Sequence, residues 1–173
     1  EKIKLLTGSG MWHTQEVEDL PSVHLSDGPH GLRKQEEKER QNNVSLVSTC
    51  YPTASALACS WDVTAAERLG RAVAKEAWNA DVAVLLGPGI NMKRSPLCGR
   101  NFEYFSEDPF LAGRLGAAYV SAAQGEDVAV SLKHFAANNQ ETNRQTSNSQ
   151  IDERALREIY LSAFEYVVKT ARP

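Results

Sequence analysis

In the stretch KHFAANNQETNRQTSNSQ, residues 133–150, a lysine and a histidine stand side by side and are followed by seven side-chain amides, one glutamate and one arginine. An ammonium at the end of an apolar run must reach water, a carboxylate or a ligand, because an unpaired cation in a low-dielectric interior is costly. The amides (Asn138, Asn139, Gln140, Asn143, Gln145, Asn148 and Gln150) surround Glu141 and Arg144 and offer donors and acceptors together. Taken alone, the same residues also read as a solvated polar loop beside a snorkelling lysine.

Two other stretches carry groups able to do chemistry. SDGPHGLR, residues 26–33, sets Asp27 between an apolar run and a Gly-Pro turn, either as a site carboxylate or as a plain turn former. GPGINMKRSPLCGRNFEYFSEDP, residues 87–109, supplies Arg94, Arg100 and Glu103 with Phe102, Tyr104 and Phe105 beside them. Charges alternating with rings suit a pyranose, whose C–H face packs on an aromatic ring while its hydroxyls take charge-assisted hydrogen bonds. They also suit a structural loop pinned by its own salt bridges.

Three strands and three helices must position these groups. Apolar, β-branched runs predict strands over residues 23–26, 82–86 and 128–132. The first long helix is expected to start near Asp62 or Thr64, where Thr64 and Glu67 have capping-box spacing, and to end near Ala80; it aligns Ala66, Leu69, Val73 and Ala77. The second is announced by Ser106-Glu107-Asp108-Pro109, with Ser106 as cap and the proline in the first turn; Leu111, Leu115, Ala118 and Ala122 form its stripe. The third is expected to run from Asp152 to the end of the chain, aligning Leu156, Tyr160, Ala163 and Val167, with Lys169 and Arg172 near its C-terminal end.

Strands separated by a full helix pair in parallel through right-handed crossovers, so the expected fold is α/β. The connections are lopsided: a few residues lead from helix to strand, whereas residues 27–61, 87–105 and 133–151 lead from strand to helix. Loops beyond about 12–15 residues are usually functional or disordered. All the extra length lies at one end of the sheet, the end that carries the site in α/β folds.

Composition narrows the classes. The chain has 173 residues, enough for one sizeable core, and its 19 basic and 22 acidic residues give a net charge of -3. Interspersed charge of this kind argues against a nucleic-acid partner. The longest strongly apolar run, residues 82–86, is far too short to span a bilayer, so no membrane partner is expected. Cys50, Cys59 and Cys98 form no CxxC pair and read as reduced thiols, which lean towards a cytoplasmic location; the chain starts at Glu1 rather than Met, so a leader could precede it. His13, His24, His30 and His134 lack metal-ligand spacing, so no metal is expected. Gly87-Pro88-Gly89 begins like a dinucleotide fingerprint, but Met92 occupies the third glycine position and no helix follows directly; an oxidoreductase reading and a nicotinamide cofactor are set aside. There is no P-loop and no GxSxG elbow, and a catalytic pairing of Cys98 with His134 has nothing beyond coincidence to support it.

Taken together, SDGPHGLR, GPGINMKRSPLCGRNFEYFSEDP and KHFAANNQETNR resemble glycoside hydrolase family 3, the β-glucosidase-type enzymes. The resemblance extends to YPTASALACSWD at 51–62 and IDERALREIYLSAFEYVVK at 151–169. It implies that residues 1–173 are part of the family's N-terminal TIM-like (β/α)8 barrel domain, about three βα units with parallel strands. It further implies a retaining, exo-acting β-glycosidase that needs no cofactor and takes a β-linked glucoside or oligosaccharide. Asp27, Arg100, Lys133, His134 and Arg144 would then surround the terminal sugar. Asp27 would accept from the hydroxyls farthest from the scissile bond, Arg100, Lys133 and His134 would hold the middle ones, and Arg144 would lie nearer the anomeric carbon. The family's nucleophile sits in a Ser-Asp-Trp type motif beyond the position of Pro173, and its acid/base comes later still, so both are expected from a C-terminal part of the same protein. The tract after His134 lacks the Pro-Gly-His-Gly pattern of the N-acetylglucosaminidase branch, which favours a β-glucosidase. The alternative is a non-catalytic sugar-binding module that keeps the pocket without the chemistry.

Overall fold

The computed structural model describes residues 2–35 and 44–173. Its frame is a three-stranded parallel sheet of β1 (Leu25–Asp27), β2 (Val84–Leu86) and β3 (Ala129–Val130), in that order. The register pairs Ser26 with Leu85 and Leu85 with Val130, so the buried residues of the three strands line up across the sheet. These are three parallel βα units, the arrangement expected of part of a TIM-like barrel.

The strands are shorter than the apolar runs predict. Regular pairing stops where Pro88, which has no amide hydrogen to give, enters the chain after β2. Isolated bonds carry the alignment onward, from Lys133 N to Pro88 O at 3.2 Å and from Ile90 N to Lys133 O at 2.7 Å. Lys133 is therefore held by backbone bonds beyond the end of the sheet.

The helices flanking the sheet follow the sequence pattern with local corrections. A short helix, α1 (Lys2–Leu5), precedes the sheet, and α2 (Ala54–Ala58), capped by Thr53, lies unforeseen within the first long connection. Helix α3 (Val63–Asn79) is capped by Asp62, whose carboxylate accepts from both Thr64 N and Thr64 Oγ1. The Thr64–Glu67 capping box does not form, because the stronger acceptor two residues earlier already holds that amide. Helix α4 (Pro109–Gln124) starts with its proline in the first turn, but the cap is Asp108 rather than Ser106; Ser106 Oγ instead accepts from Asp108 N. After α3 and α4, Asp81 and Asp127 adopt left-handed backbone (φ 55° and 58°), which makes both helix-to-strand turns short.

The third long helix is not continuous. α5 (Glu153–Ala155), capped by Asp152, runs into a single wide turn over Leu156–Tyr160, closed by Leu161 N donating to Leu156 O at 2.8 Å, before α6 (Ser162–Ala171). Arg172 leaves the helix in a left-handed conformation, so the helix stops short of the last two residues. The turn inserts an extra residue per hydrogen bond and rephases the two halves. Tyr160, Ala163 and Val167 are buried all the same, while Leu156 is half-buried.

Helix α4 is the centre of the packing, pressed between α3 and α6 and buried on almost every side. Gly70 permits that approach: a Cβ there would lie 2.4 Å from the Tyr119 carbonyl oxygen. Each strand thus projects its C-terminal end towards the same rim, while the helices close the core behind it.

Candidate functional site

Asp27 ends β1, Arg100 immediately precedes a 3-10 turn (Asn101–Glu103) in the connection after β2, and Lys133 and His134 follow β3. Lys133 Nζ lies 3.3 Å from Asp27 Oδ1 and 3.2 Å from Glu103 Oε2, with the lysine side chain 13% exposed. Glu103 is buried and its Oε1 accepts from Arg100 Nε. The contact with Lys133 is one of charge, since among the described residues Glu103 Oε2 takes no aligned hydrogen bond. Glu141 extends the cluster, 4.0 Å from Arg100 Nε and 3.6 Å from Arg144 Nη1. The structure thus brings Asp27, Arg100, Lys133 and Arg144 into one network of three carboxylates and three cations.

His134 joins through a different set of bonds. Its Nδ1 is 2.8 Å from Tyr104 Oη, which also takes a hydrogen bond from Asn138 Nδ2 at 3.0 Å. The rings of Tyr104 and His134 meet edge to face. Gly89 makes room for this arrangement, because a Cβ there would come within 2.7 Å of Glu103 O and 2.9 Å of the Tyr104 ring.

The electrostatics follow from this packing. Burial by itself would raise the Glu103 carboxyl, but the Arg100 hydrogen bond and the charges of Lys133 and Arg100 outweigh it and hold the group below its ordinary value. Burial likewise works against the Arg100 guanidinium, and Glu103 more than offsets it, so Arg100 is raised. His134 is pushed down to about 4, first by burial and then by Arg100 and Lys133, which leaves a neutral imidazole at neutral pH. Burial pushes the Tyr104 phenol up to about 12.

His134, Asn138, Asn139 and Arg144 line a cavity of about 610 Å³. Arg94 faces elsewhere, onto a separate cavity of about 640 Å³ with Glu107 and Asp152. The aromatic residues of the 87–109 connection depart from expectation. Tyr104 is 0% and Phe105 3% exposed, so both rings belong to the core and neither offers a face to a ligand; only Phe102 remains partly exposed, against His30. Among the described residues no group of three or more His, Cys, Asp and Glu is arranged to hold a metal ion.

Glu103 and Glu141 are the members of the network that sequence reasoning did not place in the site. The signal for both was present in the three-residue spacings Arg100/Glu103 and Glu141/Arg144, each of which folds into an ion pair on one turn.

With this geometry in hand, comparison with known proteins is decisive. The model of the glycosyl hydrolase family 3 N terminal domain matches residues 26–172. The chain belongs to glycosyl hydrolase family 3. Among family 3 relatives, thermostable beta-glucosidase B of Acetivibrio thermocellus is 54% identical over the whole of this chain, which corresponds to 23% of that protein. An exo-alpha-(1->6)-L-arabinopyranosidase of Bifidobacterium longum is 49% identical over the whole chain, 24% of its own length. The crystal structure of a beta-glucosidase from Kluyveromyces marxianus in complex with glucose superposes with a TM-score of 0.91 at 45% identity, covering 100% of this chain and 20% of that one. The chain therefore spans between a fifth and a quarter of the length of these three proteins.

Proposed function

We propose that this chain is the first part of the N-terminal barrel domain, residues 1–173, of a retaining, exo-acting β-glucosidase, and that Asp27, Arg100, Lys133, His134 and Arg144 form the wall that binds the terminal sugar. The observation that carries this reading is the charge balance of the network: three carboxylates and three cations sit together with a neutral imidazole. Such a cluster has strong donors and acceptors but no net charge to attract an anion. It matches an uncharged polyhydroxyl ligand, whose hydroxyls both give and accept, better than a phosphate or carboxylate substrate. The beta-glucosidase relatives, one of them holding glucose, support the same assignment.

Retaining hydrolysis requires a carboxylate nucleophile about 5–5.5 Å from a general acid, with a covalent glycosyl-enzyme between two displacements. In this proposal both groups come from the remainder of the protein, and the wall described here fixes the glycone so that its anomeric carbon meets them. Binding energy from the distant hydroxyls is then available to hold the ring in a distorted, reactive shape.

The arabinopyranosidase relative favours one second reading. A pyranose without the hydroxymethyl group would use the same wall. Assaying the full-length protein on aryl β-D-glucopyranoside and aryl α-L-arabinopyranoside separates the two, and NMR of the first-formed sugar reads the stereochemistry. Preference for the glucoside with the β-anomer released first is expected; an inverted product would reject the retaining mechanism, and no turnover of either substrate would favour a non-catalytic sugar-binding module.

A further inference from the structure

One atom, Asn138 Nδ2, lies 2.9 Å from Glu141 Oε1 and 3.0 Å from Tyr104 Oη. A carboxylate flanked by two guanidinium groups accepts hydrogen bonds, so the end of the amide facing Glu141 is its NH2. Both hydrogens of that NH2 are thereby committed, one to the carboxylate and one to the phenol oxygen. Asn91 keeps Asn138 in place, with its Oδ1 accepting from Asn138 N at 2.9 Å and its Nδ2 donating to Asn138 O at 3.1 Å. Asn91 is itself 1% exposed, so this clasp is shielded from water.

Tyr104 is 0% exposed, and a buried hydroxyl hydrogen without an acceptor is costly. Its oxygen already accepts from Asn138, and among the described residues the remaining hydrogen-bonding atom at its hydroxyl is His134 Nδ1, at 2.8 Å. The hydroxyl therefore donates, and Nδ1 accepts.

We propose that Tyr104 and Asn138 are positioning residues that hold His134 as the Nε2–H tautomer, so that its free ring nitrogen presents a hydrogen-bond donor, not an acceptor, to one hydroxyl of the bound sugar. The polarity is set at Glu141 and passed through an amide and a phenol to the imidazole, over residues of two different βα connections. The low proton affinity of His134 agrees with it, since a neutral ring is needed for the two nitrogens to differ. The sugar's part in this assignment rests on the glycoside reading above; the tautomer does not.

The test uses the full-length protein labelled with ring-15N histidine, with His134→Gln identifying the His134 signals by their loss. A protonated Nε2 and an unprotonated Nδ1 are expected at neutral pH without any sugar. Tyr104→Phe, which removes only the oxygen, should let the two tautomers mix and should lower kcat/KM on an aryl β-glucoside by roughly tenfold. That loss should shrink on the monodeoxy glucoside lacking the hydroxyl that Nε2 holds. A proton on Nδ1 in the parent, or a tautomer balance indifferent to Tyr104→Phe, would overturn the proposal. The expected tautomer together with no response to any deoxy sugar would leave the relay standing and remove the sugar contact.

Discussion

Lys133 Nζ and Glu103 Oε2 are 3.2 Å apart, although one residue follows β3 and the other closes a turn after β2. Glu103 is thereby shared between Lys133 and Arg100, and its carboxylate is the buried one that both cations have in common. Glu103→Gln keeps the shape and removes the charge, leaving a surplus positive charge in a buried cluster. A stability loss of roughly 3–5 kcal/mol is expected from breaking a buried ion pair, read as a lower urea midpoint at unchanged m-value. A midpoint equal to that of the parent would mean that water already screens the cluster.

Lys133→Ala in the complete enzyme should remove a charge-assisted donor and leave Asp27 poorly paired. A loss of roughly 2–4 kcal/mol in transition-state stabilisation is expected from the cost of an unpaired buried charge. Unchanged kcat/KM on an aryl β-glucoside would reduce Lys133 to a structural cation.

The acid side of the stability profile should be steep. His134 is held at about 4 against an ordinary 6.5, so between those values the unfolded chain binds a proton that the folded chain refuses. Stability then falls as pH drops from about 6.5 to about 4. Glu103, lowered below its ordinary 4.5, adds a second loss as pH falls further through its folded value. Thermal midpoints measured against pH should decline in the first window for the parent and decline less for His134→Gln. Parallel curves would count against the depressed imidazole.

Gly89→Ala places a methyl group against Glu103 O and the Tyr104 ring, both of them held on a buried turn. Overpacking of this kind costs about 1–3 kcal/mol. The substitution should lower both thermal stability and kcat/KM, because the displaced ring carries His134 with it. A variant with parental values in both measurements would mean that the turn yields freely.

Residues 1–173 expressed by themselves should associate and show no glycosidase turnover. Among the described residues β3 pairs on one side only, and Phe110 and Phe135 are 71% and 74% exposed. Sedimentation and an aryl glucoside assay test this directly; a cooperative, active monomer would contradict it.

The frame was legible in the sequence because apolar runs, helix stripes and lopsided connections are local signals. They located the strand ends and therefore Asp27, Lys133 and the rim on which they stand. Pairing partners were less legible, since whether Glu103 faces solvent or Lys133 depends on a loop from another strand. The rings of Tyr104 and Phe105 misled for a related reason: an aromatic residue beside a charge is equally suited to a sugar and to the core, and here the core receives both. The wide turn at Leu156–Tyr160 left no mark either, because Tyr160, Ala163 and Val167 keep a spacing that an ordinary helix would also show.

Asp27 and Lys133 are separated by 106 positions in the chain, yet their side chains touch. Closing a loop of that length costs entropy before any contact rewards it, so this pair forms late in folding, after the local helices. On the proposed reading, a monosaccharide bound against both residues would recognise only the finished arrangement and would stabilise it by mass action, with the logarithm of its concentration. Such a ligand ties together both ends of a segment that contains α2, α3, β2 and α4. It would therefore act as a folding sensor, protecting helices outside its own contacts.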